Sequence, residues 1–282
     1  MSENRTMINW FPGHMAKTMR LIAYEIRNVE AVAEIIDARI PFSSQNPNLR
    51  RACGRKPRIF ILNKADLADE QLTREWIKLF TSKGYAAIAL NGKKSSEKKK
   101  LVAALDSFVD DHVRKRANEK PRIMFVGVPN VGKSTVINML LGQNIAKVEN
   151  RPGVTRGKQW LSADRFELLD MPGVLWEKFS DMSSAYNLAY TGAIRDDVFD
   201  MEEVACSLLQ ELYTVSPQAL KTRLELEGEE QSTGYELLEL VARQRGFLLR
   251  GGIPDTEKAA KAVLTDLRDG KFGRVTLEAP RW

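Results

Sequence analysis

The first 120 residues alternate between short apolar runs and amphipathic stretches. VEAVAEIIDA (29–38), RIFILN (58–63) and YAAIAL (85–90) are short and evenly apolar, so each is expected to be a buried strand. ADEQLTREWIKLFTSKG (68–84) has helical spacing and a stop at Gly84, and Ser96 to Arg116 reads as a long helix with Leu101, Leu105, Phe108 and Val109 on one face. ANEKP (117–121) has the composition of a linker. A new start follows: RIMFVGV (122–128) as a strand, a glycine-bearing turn, and a helix to Gly142. QWLSADRFELLDMPG (159–173) holds two strand-like stretches about a turn at Ala163-Asp164. Beyond about residue 180 the pattern becomes helical in MEEVACSLLQELY, TGYELLELVARQRG and DTEKAAKAVLTDLRDG, with Gly246 and Gly270 as stops and RVTLEA as a possible last strand. Strands alternating with helices predict an α/β domain over 1–180, a mostly parallel sheet with helices on both faces. A small α-helical domain over 181–282 follows it.

Composition narrows the classes. The chain has 282 residues, 43% hydrophobic and 28% charged, which excludes a disordered or collagen-like protein. No apolar run approaches the ~18 residues of a membrane-spanning helix, so no membrane partner is expected. The opening MSENRTMINWFPGHM lacks a hydrophobic signal core, and Cys53 and Cys206 make no disulfide framework or metal-ligand spacing. A soluble protein of a reducing compartment is expected. The net charge of +6 is unevenly divided: residues 181–282 carry 12 Lys+Arg against 18 Asp+Glu, and residues 1–180 carry 31 against 19. Basic clusters at Arg50, Arg51, Arg55, Lys56 and Arg58, at Lys93, Lys94 and Lys98 to Lys100, and at Arg114 to Arg116 suggest a polyanionic partner, RNA before membrane.

Gly127-Val-Pro-Asn-Val-Gly-Lys-Ser134 is an intact G-x-x-x-x-G-K-S between a predicted strand and a predicted helix. Backbone N–H groups of Asn130, Val131 and Gly132, with those of Lys133, Ser134 and Thr135 at the helix start, suit a phosphate chain. Lys133 would reach the β- and γ-phosphates, and Ser134 would ligate Mg²⁺. Asn63-Lys64-Ala65-Asp66 chooses the base. A carboxylate at Asp66 accepts from guanine N1–H and the 2-amino group together, and adenine has neither donor. Asn63 would address the N7/O6 edge, the Lys64 stem would lie over the base, and Ala65 is the spacer. Asn91-Gly92, closing YAAIAL, would present N–H groups to guanine O6. Asp170-Met-Pro-Gly173 matches D-x-x-G, with Asp170 holding Mg²⁺ through water and Gly173 sensing the γ-phosphate. Thr155, between these elements, is either an ordinary turn residue or a switch that closes on Mg²⁺.

The base-reading elements precede the phosphate loop, the reverse of the conventional order. A cut before VEAVAEIIDA and a junction through 110–122 explain this, because compact domains tolerate permutation.

The permuted order, the opening Trp10-Phe-Pro-Gly-His-Met15 and the run Asp37-Ala-Arg-Ile-Pro-Phe-Ser-Ser44 resemble the ribosome biogenesis GTPase A family, also called YlqF. The resemblance implies a circularly permuted P-loop GTPase domain and a helical C-terminal domain. It also implies a cytoplasmic, GTP-hydrolysing switch acting late on large ribosomal subunit precursors, and the protein is expected to be a monomer. RNA contact is placed in residues 243–281, which carry nine basic and five acidic residues. The position after D-x-x-G, where many GTPases use glutamine to orient water, is Val174. The family implicates the histidine of W-F-P-G-H-M, here His14. The alternative is a turn histidine packed near Trp10, and His112 reads as a surface residue. GTPases resembling this one with asparagine at the position of Asn130 bind K⁺, although asparagine there can also satisfy the loop's own backbone. Two other classes stay open from the sequence: a P-loop kinase for a small molecule, and an RNA-binding scaffold with incidental nucleotide binding.

Overall fold

The structure, a computed structural model, describes residues 13–113, 119–142, 157–176, 179, 181–225 and 232–280, without the side chain of His14. Six strands form one sheet: β1 (Ala31–Asp37), β2 (Arg58–Asn63), β3 (Ala86–Leu90), β4 (Arg122–Val126), β5 (Gln159–Ser162) and β6 (Glu167–Asp170). Their order is β3-β2-β1-β4-β6-β5, all parallel except the β5–β6 hairpin. All seven residues of β1 are buried, as both-face coverage of a central parallel strand requires. The chain adds β2 and β3 on one side of β1 and β4 and β6 on the other, so the order reverses between β1 and β4. In open α/β sheets that reversal opens a ligand crevice at the carboxyl ends of the strands.

The predicted helices are present. They are α3 (Glu70–Ser82), α4 (Lys98–His112), α5 (Lys133–Leu141), α7 (Met201–Val215), α9 (Gly234–Gln244) and α10 (Thr256–Arg268). The α3 start is set by Asp69, whose carboxylate accepts from the Leu72 amide at 2.7 Å, and Trp76 and Phe80 bury its apolar face. The α4 helix begins two residues later than expected, after a 3-10 turn over Ser95–Glu97, and Arg114 to Arg116 lie outside the described residues. Four helices were not legible: α1 (Gly13–Glu25), α2 (Pro47–Cys53), α6 (Met182–Tyr190) and α8 (Pro217–Leu224). His14 therefore stands in the first turn of a helix and not in the turn expected as its alternative reading, and Trp10 lies outside the described residues.

The helices α7, α9 and α10 pack on one another through Leu208, Leu209, Leu238, Val241, Val263 and Leu264, all essentially sealed from solvent. Asp266, buried in α10, is held by Arg223, Arg245 and Lys271. RVTLEA forms no strand. Instead residues 274–278 run as a strap across the α/β layer: Val275 N–H donates to Leu67 O at 3.0 Å and Leu277 N–H to Arg39 O at 2.8 Å. Val275, Thr276 and Leu277 are all buried, as a strand in a core would be. Their partners are loops, so no ladder forms.

Candidate functional site

The phosphate loop joins β4 to α5 with no room for side chains at two of its glycines. A Cβ on Gly127 would lie 2.5 Å from the Ile35 carbonyl oxygen. Gly132 has φ of +87°, and its Cβ would fall 2.3 Å from Asn63 Nδ2. Ser134 and Thr135 stand half-buried in the first turn of α5, beside Lys133. Lys133 is buried and its ammonium pairs with Asp170 at the end of β6. Burial lowers the Lys133 pKa, and the Asp170 charge opposes that shift. Phosphates arriving at the loop would compete with Asp170 for this ammonium. Gly173 packs on the loop, with a Cβ position only 3.0 Å from Pro129 Cα, so D-M-P-G touches the phosphate loop directly. The Val174 amide donates to Gly127 O at 3.2 Å and its side chain is fully buried, which excludes it from orienting water.

N-K-A-D and Asn91-Gly92, the elements expected to read the base, gather at the same sheet edge, with one correction. Asn63 is buried, its Oδ1 accepts from the Gly92 amide at 2.9 Å, and its Nδ2 donates to Val131 O at 2.7 Å. Asn63 thus ties the phosphate loop to the Asn91-Gly92 loop, leaving one amide proton for the base edge. The Gly92 N–H is already committed to Asn63 and is not the O6 donor expected for it. Asn91 forms a turn of its own, its Oδ1 accepting from the Lys93 amide at 3.0 Å. Lys64 adopts φ of +58°, which places its ammonium 2.8 Å from Asp37 Oδ2. Ala65 N–H donates to Leu90 O at 3.1 Å. Asp66 is exposed, and no described residue hydrogen-bonds its carboxylate.

Asn130 has φ of +60° and its Nδ2 donates to Gly192 O at 2.7 Å, linking the phosphate loop to the end of α6. Thr155 and the His14 side chain lie outside the described residues. His112 faces outward, its Nδ1 within 3.1 Å of Phe108 O one turn back, as a surface residue would.

Two functional residues went unread in the sequence beyond their place in a quoted motif. Arg39 grips Asp37 through Nε and Nη2 at 2.9 and 2.8 Å and reaches Leu267 O at the end of α10 with Nη1 at 3.0 Å. Burial works to raise the Asp37 pKa, but the Arg39 and Lys64 charges overcome it and hold the carboxyl well below the usual range. Asp37 is therefore the anchor for the Lys64 head. Charged residues at the end of an apolar strand were the available signal, without an indication of partner.

The donor set also fits magnesium. Among the described residues no group of three or more His, Cys, Asp or Glu forms a self-sufficient metal cage. The Ser134 hydroxyl and Asp170 supply a sparse oxygen set, which suits an ion that keeps waters and takes phosphate oxygens as ligands.

Residues 122–231 match the family model described as 50S ribosome-binding GTPase. The ribosome biogenesis GTPase A of Bacillus cereus is 42% identical over 283 residues, covering 97% of this chain and 94% of that relative. The chain belongs to the ribosome biogenesis GTPase A family. Two solved structures of YlqF, a family member, agree at 30% identity. A GDP-bound one superposes with a TM-score of 0.72 over 93% of this chain and 99% of its own. A GNP-bound one from T. maritima gives 0.69 over 94% and 99%. In this chain N-K-A-D and Asn91-Gly92 follow β2 and β3, and G-x-x-x-x-G-K-S and D-M-P-G follow β4 and β6, all at the same sheet edge.

Proposed function

We propose that this protein is a cytoplasmic, monomeric, GTP-hydrolysing switch that binds large ribosomal subunit precursors and promotes a late step of their assembly. The observation that carries the reading is the convergence of the phosphate loop, D-M-P-G and N-K-A-D on one sheet edge, where Asn63 hydrogen-bonds Val131 of the phosphate loop and Gly173 packs against Pro129 of the same loop. Asp66 selects guanine. The loop amides and Lys133 hold the phosphates, with the ammonium passing from Asp170 to the β- and γ-phosphate oxygens. Magnesium, held by Ser134 and through water by Asp170, would neutralise charge between those phosphates, and Thr155 would join it when the γ-phosphate is present. With Val174 sealed in the core, His14 is the group proposed to orient the attacking water. Potassium at Asn130 would be held by the amide oxygen Oδ1, a different atom from the Nδ2 that donates to the Gly192 carbonyl.

Surface charge supports a nucleic-acid partner. Arg50, Arg51, Arg55, Lys93 and Lys94 are exposed, whereas Arg58 is buried against Glu34 and does not belong to that surface. In the 243–281 stretch Arg245, Arg268, Lys271 and Arg274 pair with carboxylates inside the protein. Arg250, Lys258 and Lys261 are exposed and pair with no carboxylate among the described residues, so within 243–280 RNA contact narrows to them, and Arg281 lies outside the described residues.

The test is GTP turnover with and without purified large subunits, run on the wild type and on His14→Ala. Subunit-stimulated hydrolysis is expected, falling by roughly 10²–10⁴-fold in the variant with GTP affinity within a few-fold. A phosphorylated small-molecule acceptor would instead make the protein a kinase, and an absence of nucleotide binding would make it a scaffold.

A further inference from the structure

The carboxylate that reads the base has no support through its own side chain, so its position is set by the backbone of residues 65–69. That backbone is held from the far end of the chain. Arg274 donates from Nη2 to Ala65 O at 3.1 Å and from Nε to Ala68 O at 2.9 Å. The Val275 amide donates to Leu67 O at 3.0 Å, and Thr276 Oγ1 accepts from the Asp69 amide at 3.0 Å. Three consecutive strap residues thus take up three carbonyls and one amide of the loop that carries Asp66.

The strap is fixed on both sides of this clamp. Upstream, Gly270 (φ +76°) lies so close to Leu67 that a Cβ would sit 2.6 Å from its Cδ2. Downstream, the Glu278 carboxylate, at the end of the strap, accepts from the Phe42 and Ser43 amides and from Asn187 Nδ2 at 3.0 Å. Its carbonyl accepts from Trp76 Nε1 at 2.9 Å. Arg39 closes the loop of contacts, joining the Leu267 carbonyl to Asp37 and through it to Lys64.

We propose that Arg274 is a positioning residue for guanine recognition, setting the pose of Asp66 together with Val275 and Thr276, and that guanine binding is linked to docking of the C-terminal strap. The inference rests on the reading of Asp66 as the guanine-reading carboxylate. One planar guanidinium spans two carbonyls three residues apart, which a lysine ammonium does not reproduce. Linkage is reciprocal: whatever strap docking contributes to base affinity, base binding returns to strap docking.

Titration of the full-length protein with GDP and with IDP, whose base lacks the 2-amino group, tests this in wild type, Arg274→Ala, Arg274→Lys, Thr276→Val and Asp66→Asn. A displaced Asp66 loses its second base contact first. Arg274→Ala should therefore weaken GDP binding about tenfold and shrink the GDP-over-IDP preference about threefold, from loss of its two hydrogen bonds to the loop carbonyls. Thr276→Val should give a smaller change of the same sign, and Arg274→Lys should recover less than half of the lost preference. Equal losses for both nucleotides, or no loss, in folded Arg274→Ala overturn the inference while leaving Asp66 in place. An unchanged GDP affinity in Asp66→Asn overturns the reading beneath it. Wild-type protein supplies a measurement free of folding defects: GDP should slow hydrogen exchange at the Val275 amide about tenfold, and an unchanged rate while phosphate-loop amides become protected overturns the linkage.

Discussion

Two carboxylates illustrate how placement alone decides chemistry at the residue scale. Asp66 stands in the open and is the carboxylate proposed to read the base. Asp66→Asn should weaken GTP binding by about 30- to 1000-fold and improve binding of xanthine nucleotide, since an amide donates to the 2-oxo group that a carboxylate repels. Calorimetric titration with both nucleotides checks this. Glu34 is the opposite case, buried in the middle of β1 with no hydrogen-bond partner for Oε1 among the described residues and Arg58 3.4 Å from Oε2. Burial raises its pKa to about 7, against the Arg58 charge and the Asn46 backbone amide. The folded protein binds this proton more tightly than the unfolded chain, whose carboxyl titrates near 4.5. Its stabilising contribution is therefore complete below about pH 4.5 and lost as pH rises through about 7, at most about 3 kcal/mol. Urea unfolding at pH 5 and pH 8 should show this loss in the wild type and less of it in Glu34→Gln. The slope that remains is assigned to Glu278, which burial also raises to about 7. An identical pH dependence in both proteins would place the titrating group elsewhere.

At the scale of elements, the loops between strand and helix carry the chemistry and tolerate least. Gly132→Ala forces a left-handed φ on a residue with a Cβ and drives it into the amide of Asn63 that joins two loops. A destabilisation of about 2–4 kcal/mol is expected, combining backbone strain with the disturbed buried hydrogen bonds. Urea denaturation measures it, and GDP titration of the same protein should show a parallel loss of affinity. Helices were legible where one face is apolar and the other polar, as in α3 with Trp76 and Phe80 inward. The α6 helix buries every residue from Ser184 to Tyr190, so it has no polar face to give its period away. The α2 helix is seven residues, capped by Asn46 with Pro47 in its first turn, too short for a periodic signal.

For the whole molecule, the permuted order shortens the path from switch to helices. D-M-P-G ends at Gly173 and α6 begins at Met182, while Asn130 of the phosphate loop already touches Gly192. A non-hydrolysable GTP analogue is expected to tighten association with large-subunit particles about tenfold over GDP, which needs ~1.4 kcal/mol of differential binding. Co-sedimentation at fixed salt decides it, and equal binding in the two states removes the switch mechanism. Replacing Arg250, Lys258 and Lys261 together by alanine should weaken association in both states and flatten its salt dependence, as lost phosphate contacts do.

Local order along the chain determined the chemistry of this protein. The phosphate loop, N-K-A-D and D-M-P-G are contiguous stretches, and the strands that carry them declare themselves by apolar runs of strand length. Their convergence on one edge follows from parallel pairing. Only the tertiary structure decided who satisfies whom. Asn63 spends its amide on Val131 and Gly92, Asp37 anchors Lys64 and Arg39, and Arg274 reaches Ala65 across 209 residues. A buried polar group needs a partner, but its own neighbourhood in sequence says nothing of where that partner comes from. Periodicity reports which face of an element is covered and is silent on what covers it.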